Sequence, residues 1–332
     1  MKKGIGLMPN SLLRWIVVSM AFVLPPIAHA YAGLPTVTIL EGSAIVFHGT
    51  SKFAAVEGVR VQPGDLVETG KDSFVRLEYE DGTRIDLGPK TQTQIAHPTE
   101  TKGDRAALYV LSGWIKLTVA ESKRPPTAAF ATPLFDGTEI GGVVVAHIGP
   151  RGGALFVETG RARAANRHVR SPATPTLASG DFVSITGDGR ALVDSHPSGE
   201  FLDQMPRPFR DSLPSRLARF RDHPTAAKSL GEFSYSDVEG WINAEPAVRR
   251  QFVQTWRAKA DDPEFRLELT GKLALHPEWG PVLFPELYEP KTPSAPSNTL
   301  APTSAPVGGG AANTPQRPSS GPTTPDPYPP PR

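Results

Sequence analysis

Between Val56 and Gln92 the chain alternates apolar and polar residues with a period of two, and the alternation breaks at residues that favour tight turns. Phe74 to Tyr79 sets Val75, Leu77 and Tyr79 on one side and Phe74, Arg76 and Glu78 on the other, the mark of a half-buried strand. Asp81-Gly82 follows, a dipeptide that accepts the positive φ angles of a hairpin turn. Thr83 to Leu87 resumes the alternation with Ile85 and Leu87 on one face, and Gly88-Pro89 closes the unit. Upstream, Pro63-Gly64-Asp65 combines a preset φ with a residue free to turn, so the stretch reads strand, turn, strand, turn, strand.

The same signals recur at intervals of about eight to twelve residues, the spacing of sandwiches, rolls and barrels rather than of βαβ units. Val37–Leu40 and Ala44–Phe47 are lead-in strands. His97 to Asp104 reads as a loop, and Ala107–Leu111 and Trp114–Val119 as strands around a Ser112-Gly113 turn. Pro125-Pro126 demands an exposed connection. Ala128–Thr132, the apolar run Val143–Ile148, Ala154–Thr159 and Arg161–Ala165 around Gly160, and Phe182–Thr186 continue the pattern. The fold class is therefore mainly β, as a sandwich, a roll or a solenoid-like stack.

At 332 residues the chain has room for more than one domain. Residues 1–30 carry Lys2, Lys3 and Arg14, then an apolar core from Trp15 to Ile27, then Ala28-His29-Ala30. That is the build of a secretory signal peptide cut before Tyr31. Its core falls short of the roughly 20 residues of a membrane span, so no stable span is expected after cleavage, an uncleaved anchor being the alternative. No cysteine follows it, which excludes a lipoprotein, and a total of 0 cysteines excludes disulfides, thiolate catalysis and zinc–thiolate sites. Without the three leader cations, 32 Lys and Arg face 34 Asp and Glu, a net charge of −2. That balance argues against nucleic acid as a partner.

Residues 31–54 form the lead-in, 55–196 the all-β domain, 197–289 a helical region and 290–332 a tail. In the helical region Ser236 and Glu239 have the spacing of a capping box, and Pro246 suits the first turn of a helix. Val248, Phe252, Val253 and Trp256 then share one face, and Asp262-Pro263 opens a third helix bearing Phe265, Leu269 and Leu273. His276-Pro277 stops it, His276 serving as a C-terminal cap. Trp241, Trp256 and Trp279 are expected to pack together or onto the β domain. In the tail, 13 of 43 residues are Pro and almost nothing is apolar, so it is expected to be disordered with polyproline-II character.

An ordered series of short motifs runs through the β region: Gly58-Val59, Pro63-Gly64-Asp65-Leu66-Val67-Glu68-Thr69-Gly70, Val75-Arg76-Leu77, Asp81-Gly82-Thr83-Arg84-Ile85, Leu87-Gly88-Pro89 and Leu111-Ser112-Gly113-Trp114-Ile115. Ala131-Thr132-Pro133, Gly137-Thr138-Glu139, Val157-Glu158-Thr159-Gly160 and Ala178-Ser179-Gly180-Asp181-Phe182-Val183 follow. The series resembles the FecR-type domain, the extracytoplasmic part of iron-dicitrate sensor regulators. The resemblance implies a periplasmic, non-catalytic all-β module that binds or senses a partner. Fourteen residues precede the apolar leader core, so the cytoplasmic anti-sigma segment of such regulators is not expected, nor is a further signalling domain for a TonB-dependent receptor. Asp136 stands where the family pattern places an arginine before its Gly-Thr pair.

Candidate chemistry is sparse. The acids Asp65, Glu68, Asp72, Glu78, Glu80, Asp81 and Asp86 could supply a glycosidase pair, but Asp65 and Asp81 suit turns, and Glu78 and Glu80 read as solvent-facing. Seven histidines follow the leader, none at a zinc-site spacing, and no Ser lies in a nucleophile elbow. The glycines from Gly137 to Gly153 suit turns and bulges. An enzyme, a metal site and a cofactor are therefore not expected. Two features suit binding. Arg151, Arg161, Arg163, Arg167 and Arg170 concentrate positive charge fit for an acidic polysaccharide or an acidic protein patch, a solvated basic face being the plain alternative. Trp114 sits beside Lys116 on the polar side of its strand, either exposed to stack on a sugar or protein partner or covered by the helical region. The expected function is non-catalytic binding of an envelope protein or polysaccharide in the periplasm. Cell-surface signalling through a separate partner is the alternative.

Overall fold

In the computed structural model, residues 33–95, 104–120, 127–169, 174–222 and 225–288 are described. The leader, most of the His97–Asp104 loop, Pro125-Pro126, Arg170 and the Pro-rich tail lie outside them. The first strands are β1 (Thr36–Glu41), β2 (Ala44–His48), β3 (Ser51–Ala54), β4 (Leu66–Thr69), β5 (Phe74–Glu78), β6 (Arg84–Leu87) and β7 (Gln92–Ile95). Then come β8 (Asp104–Thr118), β9 (Thr127–Ala131), β10 (Phe135–Gly149), β11 (Gly152–Asn166), β12 (Thr176–Ala178), β13 (Phe182–Thr186) and β14 (Ala191–Asp194). After α1 (Gly199–Gln204), β15 (Lys228–Glu232) returns to the sheet, and α2 (Tyr235–Ile242), α3 (Pro246–Thr255), α4 (Pro263–Gly271) and α5 (Gly280–Leu283) follow. The mainly-β expectation is borne out, with a large mixed sheet and a small helical region.

The main path of the sheet runs β14-β13-β11-β10-β9-β8-β7-β4-β2-β3-β15, with β1-β5-β6 branching from β8. Pairing is antiparallel except between β8 and β9. Three 15-residue strands, β8, β10 and β11, each divide their length between different neighbours. The first half of β8 pairs with β7 and β9, and its second half with β6 and β10.

This sharing depends on bulges. In β8, Leu108 and Val110 face the inner core and so do Ile115 and Leu117, although the two pairs differ in parity. An extra residue opposite the Gln92–Thr93 step, beside Gly113 at φ 103°, makes the switch. Ser112-Gly113 is therefore a bulge within one 15-residue strand and not a turn. Strand β11 repeats the device, with Leu155 and Val157 before Gly160 and Ala162 and Ala164 after it. A Cβ on Gly160 would stand 1.8 Å from Gly141 O, so only glycine fits there. The glycines of this hairpin thus serve a turn and bulges, as expected.

Other sequence expectations need correction. Val56–Gln62 is not a strand; it contributes a single bridge, Thr36 to Arg60, because the chain turns at Glu57-Gly58. The short strands β3, β12, β14 and β15 gave no clear alternation. The capping box sits two residues earlier than read, with Ser234 as N-cap and Asp237 as its partner. Pro246 does occupy the first turn of α3. His276 caps no α-helix; it is fully buried against Tyr235, with ring centroids 6.2 Å apart. Among the described residues no helix is long and apolar enough to cross a membrane.

Three clusters fill the structure. The largest, mostly Val, Ile and Leu, lines the inner faces of the strands. A second joins Phe47, Leu66 and Tyr109 on the outer face of β2, β4 and β8 to aromatic side chains of residues 233–284, including Trp241 in α2, Trp256 at the C-terminal end of α3 and Trp279 just before α5. The tryptophans thus pack together and onto the sheet. The third covers a different outer face, where Ile39, Phe74, Trp114, Val145, Ala154 and Phe182 meet Phe201, Met205 and Phe209.

Candidate functional site

The third cluster continues into a charged seam, and the two together form the candidate site. The seam arises from the β5–β6 hairpin. Asp81 accepts from Thr83 N–H at 2.8 Å, and Tyr79 N–H donates to Thr83 O, which sets a register with Arg76 opposite Asp86. Arg76 Nε and one terminal nitrogen donate to the two Asp86 oxygens at 2.6 and 2.7 Å, a bidentate pair buried on both sides. Burial pushes the Asp86 carboxyl up, against the pull of the guanidinium. Opposite Asp86 on β8 stands Lys116, bound to Glu158 of β11 at 2.7 Å.

Over these groups passes a strap, residues 199–221, made of α1, a 3-10 turn at Arg207–Phe209, and an extended run. Ser198 caps α1 by accepting from Phe201 N–H. Phe201 and Phe209 anchor the strap on Trp114 and Phe74, with ring centroids 5.1 and 6.2 Å apart. The sheet then holds the strap's backbone. Lys116 donates to Phe209 O at 2.6 Å and Arg76 to Leu213 O at 2.9 Å. Glu78 accepts from Arg216 N–H at 3.0 Å, from the Ser215 hydroxyl, and from Thr38 at 2.6 Å. A small cavity of about 230 Å³ remains beside Arg84, Asp86, Glu158 and Arg210.

Glu78, read as solvent-facing, is therefore 2% exposed, and β5 is buried on both faces. The strap is the reason: alternation within β5 marks two faces but cannot reveal a distant segment that covers the second. Asp65 does serve its turn, accepting from Gln62 N–H at 2.7 Å, and it also bonds His48 at 2.7 Å.

Trp114 is 8% exposed, stacked on His147 at 4.3 Å and tilted against Phe201. Of the two placements open to it, the covered one is found. Burial holds the His147 imidazole below its ordinary range. The arginines do not form one patch. Arg151 lies in the β10–β11 turn and Arg161 ten residues along β11, about 30 Å away by strand rise. Both are exposed. Arg163 is engaged by Glu139 at 3.0 Å, and Arg167 by Asp136 at 2.8 Å and by Glu245 at the start of α3. Asp136, which departs from the family pattern, thus helps tie the hairpin to the helical region.

Sequence reading missed Arg76, Asp86 and Lys116 as a group. Opposite charges across a hairpin were a usable signal, but their meeting depends on a register one residue away from the alternative. In chemical terms the seam fixes a segment: its buried charges are engaged by one another, by Thr38, and by the strap's backbone and Ser215 hydroxyl.

Comparison with known proteins places the seam. The FecR protein family model matches residues 65–135, the stretch from β4 to β9 that carries Arg76, Glu78, Asp86, Trp114 and Lys116. The resemblance read from the motifs is borne out over that stretch. Two crystal structures of a "putative anti-sigma factor" from Parabacteroides distasonis align at 15% and 14% identity, each with a TM-score of 0.35. They cover 42% and 41% of this chain, which spans 64% and 62% of theirs. No curated protein matches the chain.

Proposed function

We propose that the chain is an exported, non-catalytic FecR-type module that acts in the periplasm as a regulator by engaging an envelope protein. The observation that carries this reading is the FecR match over β4 to β9, the strands that hold the strap. The seam's use of buried charges to fix backbone rather than to poise an acid and a base supports a role without catalysis. Exposed Arg151 and Arg161 are the contact points proposed for an acidic patch on the partner. An acidic polysaccharide is the second reading, favoured by the same exposed arginines.

Crosslinking of the tagged chain in intact envelopes, with glycan fractions run in parallel, tests both. Recovery of a membrane regulator or receptor, reduced by Arg151→Glu or Arg161→Glu, is the expected result. Retention on acidic glycan alone would select the second reading. Turnover of an envelope substrate that disappears with Asp86→Asn would overturn the non-catalytic role.

A further inference from the structure

The two ends of the sheet are finished differently. At one end β15 places Lys228 and Glu232 at its termini, shifts register between Ser229 and Glu232, and bends at Gly231 with φ 89°. Charges and bulges of this kind blunt an edge against pairing with another chain. At the other end β14 carries no such bulge. All four of its residues are exposed, Leu192 to 60% and Val193 to 48%.

The backbone geometry of that edge follows from its hairpin. Thr186 N–H donates to Arg190 O, which makes this a hydrogen-bonded pair. Ser184 then lies opposite Leu192, and Phe182 opposite Asp194. Antiparallel ladders alternate, so Leu192 and Asp194 also direct their N–H and C=O groups to β13, while Ala191 and Val193 direct theirs outward.

We infer that β14 pairs antiparallel with β14 of a second copy of the chain, about a twofold axis at Leu192. In that register Ala191 of each copy meets Val193 of the other, and the outward N–H and C=O groups of both are satisfied. Leu192 faces Leu192 in a non-hydrogen-bonded pair, where side chains come closest. Arg190 of each copy faces Asp194 of the other, so the strand is complementary in charge to itself. The present partner of Arg190 is Asp188 at 2.9 Å, in a pair exposed to 86% and 54% that contributes little. On the opposite face, Val193 lines an apolar groove of about 700 Å³ with Val169, Val183 and Ile185. The second copy would bring its own Ala191 and Val193 to that side. Four residues per copy make a small isologous interface, so micromolar association is expected.

Sedimentation of the full chain over a concentration series tests the inference. The wild type should form a reversible dimer at micromolar concentration. Arg190→Asp and Asp194→Arg should each weaken it at least about tenfold, because two attractions become two repulsions. An equimolar mixture of the two variants should dimerise again. In the mixed pair the introduced anion of one copy faces the introduced cation of the other, and the remaining native Arg190 faces the remaining native Asp194. A wild type that stays monomeric, a dimer indifferent to both reversals, or a mixture that fails to associate would overturn it.

Discussion

The strap and the helical region both lie on outer faces of the same sheet, yet they are held by different means. Residues 233–284 bring their own core, in which Phe233, Trp241, Phe252, Trp256, Phe265 and Trp279 contact one another as well as the sheet. Phe252 and Trp256 stack at 4.2 Å, and Trp241 donates to Glu68 at 2.9 Å. The strap has no core of its own. It contributes a few anchors, chiefly Phe201, Met205 and Phe209, and otherwise lends carbonyls and amides to charged side chains of β5 and β8. A segment of that kind can leave without unfolding the rest, so the strap belongs to the low end of local stability and the helical region to the global unit.

The contrast breaks if the wrong region governs melting. Trp241→Ala removes a fully buried ring and should cost about 3–5 kcal/mol, seen as a large fall in melting temperature. Phe209→Ala removes a ring just as buried, but its cost is capped by the free energy that docks the strap. We expect about 1–3 kcal/mol, read as faster limited proteolysis within 210–222 while the melting temperature changes little. If Phe209→Ala lowers the melting temperature as far as Trp241→Ala, the two regions are one cooperative unit. Lys116→Met should loosen the strap by about 1–2 kcal/mol by removing a charged donor to Phe209 O, again in proteolysis before melting.

Acid should sharpen the same contrast with the smallest effect. His147 stacks on Trp114, which the strap's Phe201 meets on its way across the sheet, and burial holds the pKa of His147 below the ordinary 6.5. The unfolded or undocked chain therefore binds the proton more readily. The contribution to stability is complete above pH 6.5 and declines as pH falls below it. His276 in the helical region is depressed by burial in the same way. Proteolysis of the strap should accelerate on acidification before the helical region melts, and His147→Phe should flatten that pH dependence.

How far this was legible in the sequence depended on distance along the chain. The β5–β6 hairpin could be read because Asp81-Gly82 and the alternation around it are local, and the face of α3 because four apolar residues fall at helical spacing. The tryptophan cluster followed from there being few other places for such rings. What escaped was coverage. Arg76 and Glu78 read as a solvent face because the strap residues that bind them lie 137 and 138 residues downstream, beyond any periodicity. Strand β14 escaped for the opposite reason: with both faces open, its residues carry no alternation to read.

The pairing of β15 with β3 also carries a kinetic meaning. Lys228 lies opposite Ala54, 174 residues away in the chain. Until residue 232 is available, the outer edge of β3 has no partner, and closing so long a loop is entropically slow. Assembly should therefore finish late, with the early strands vulnerable to mispairing in the interval. A chain stopped before β15 would keep that edge open permanently, and aggregation of such truncations, rather than simple loss of stability, is the expected phenotype.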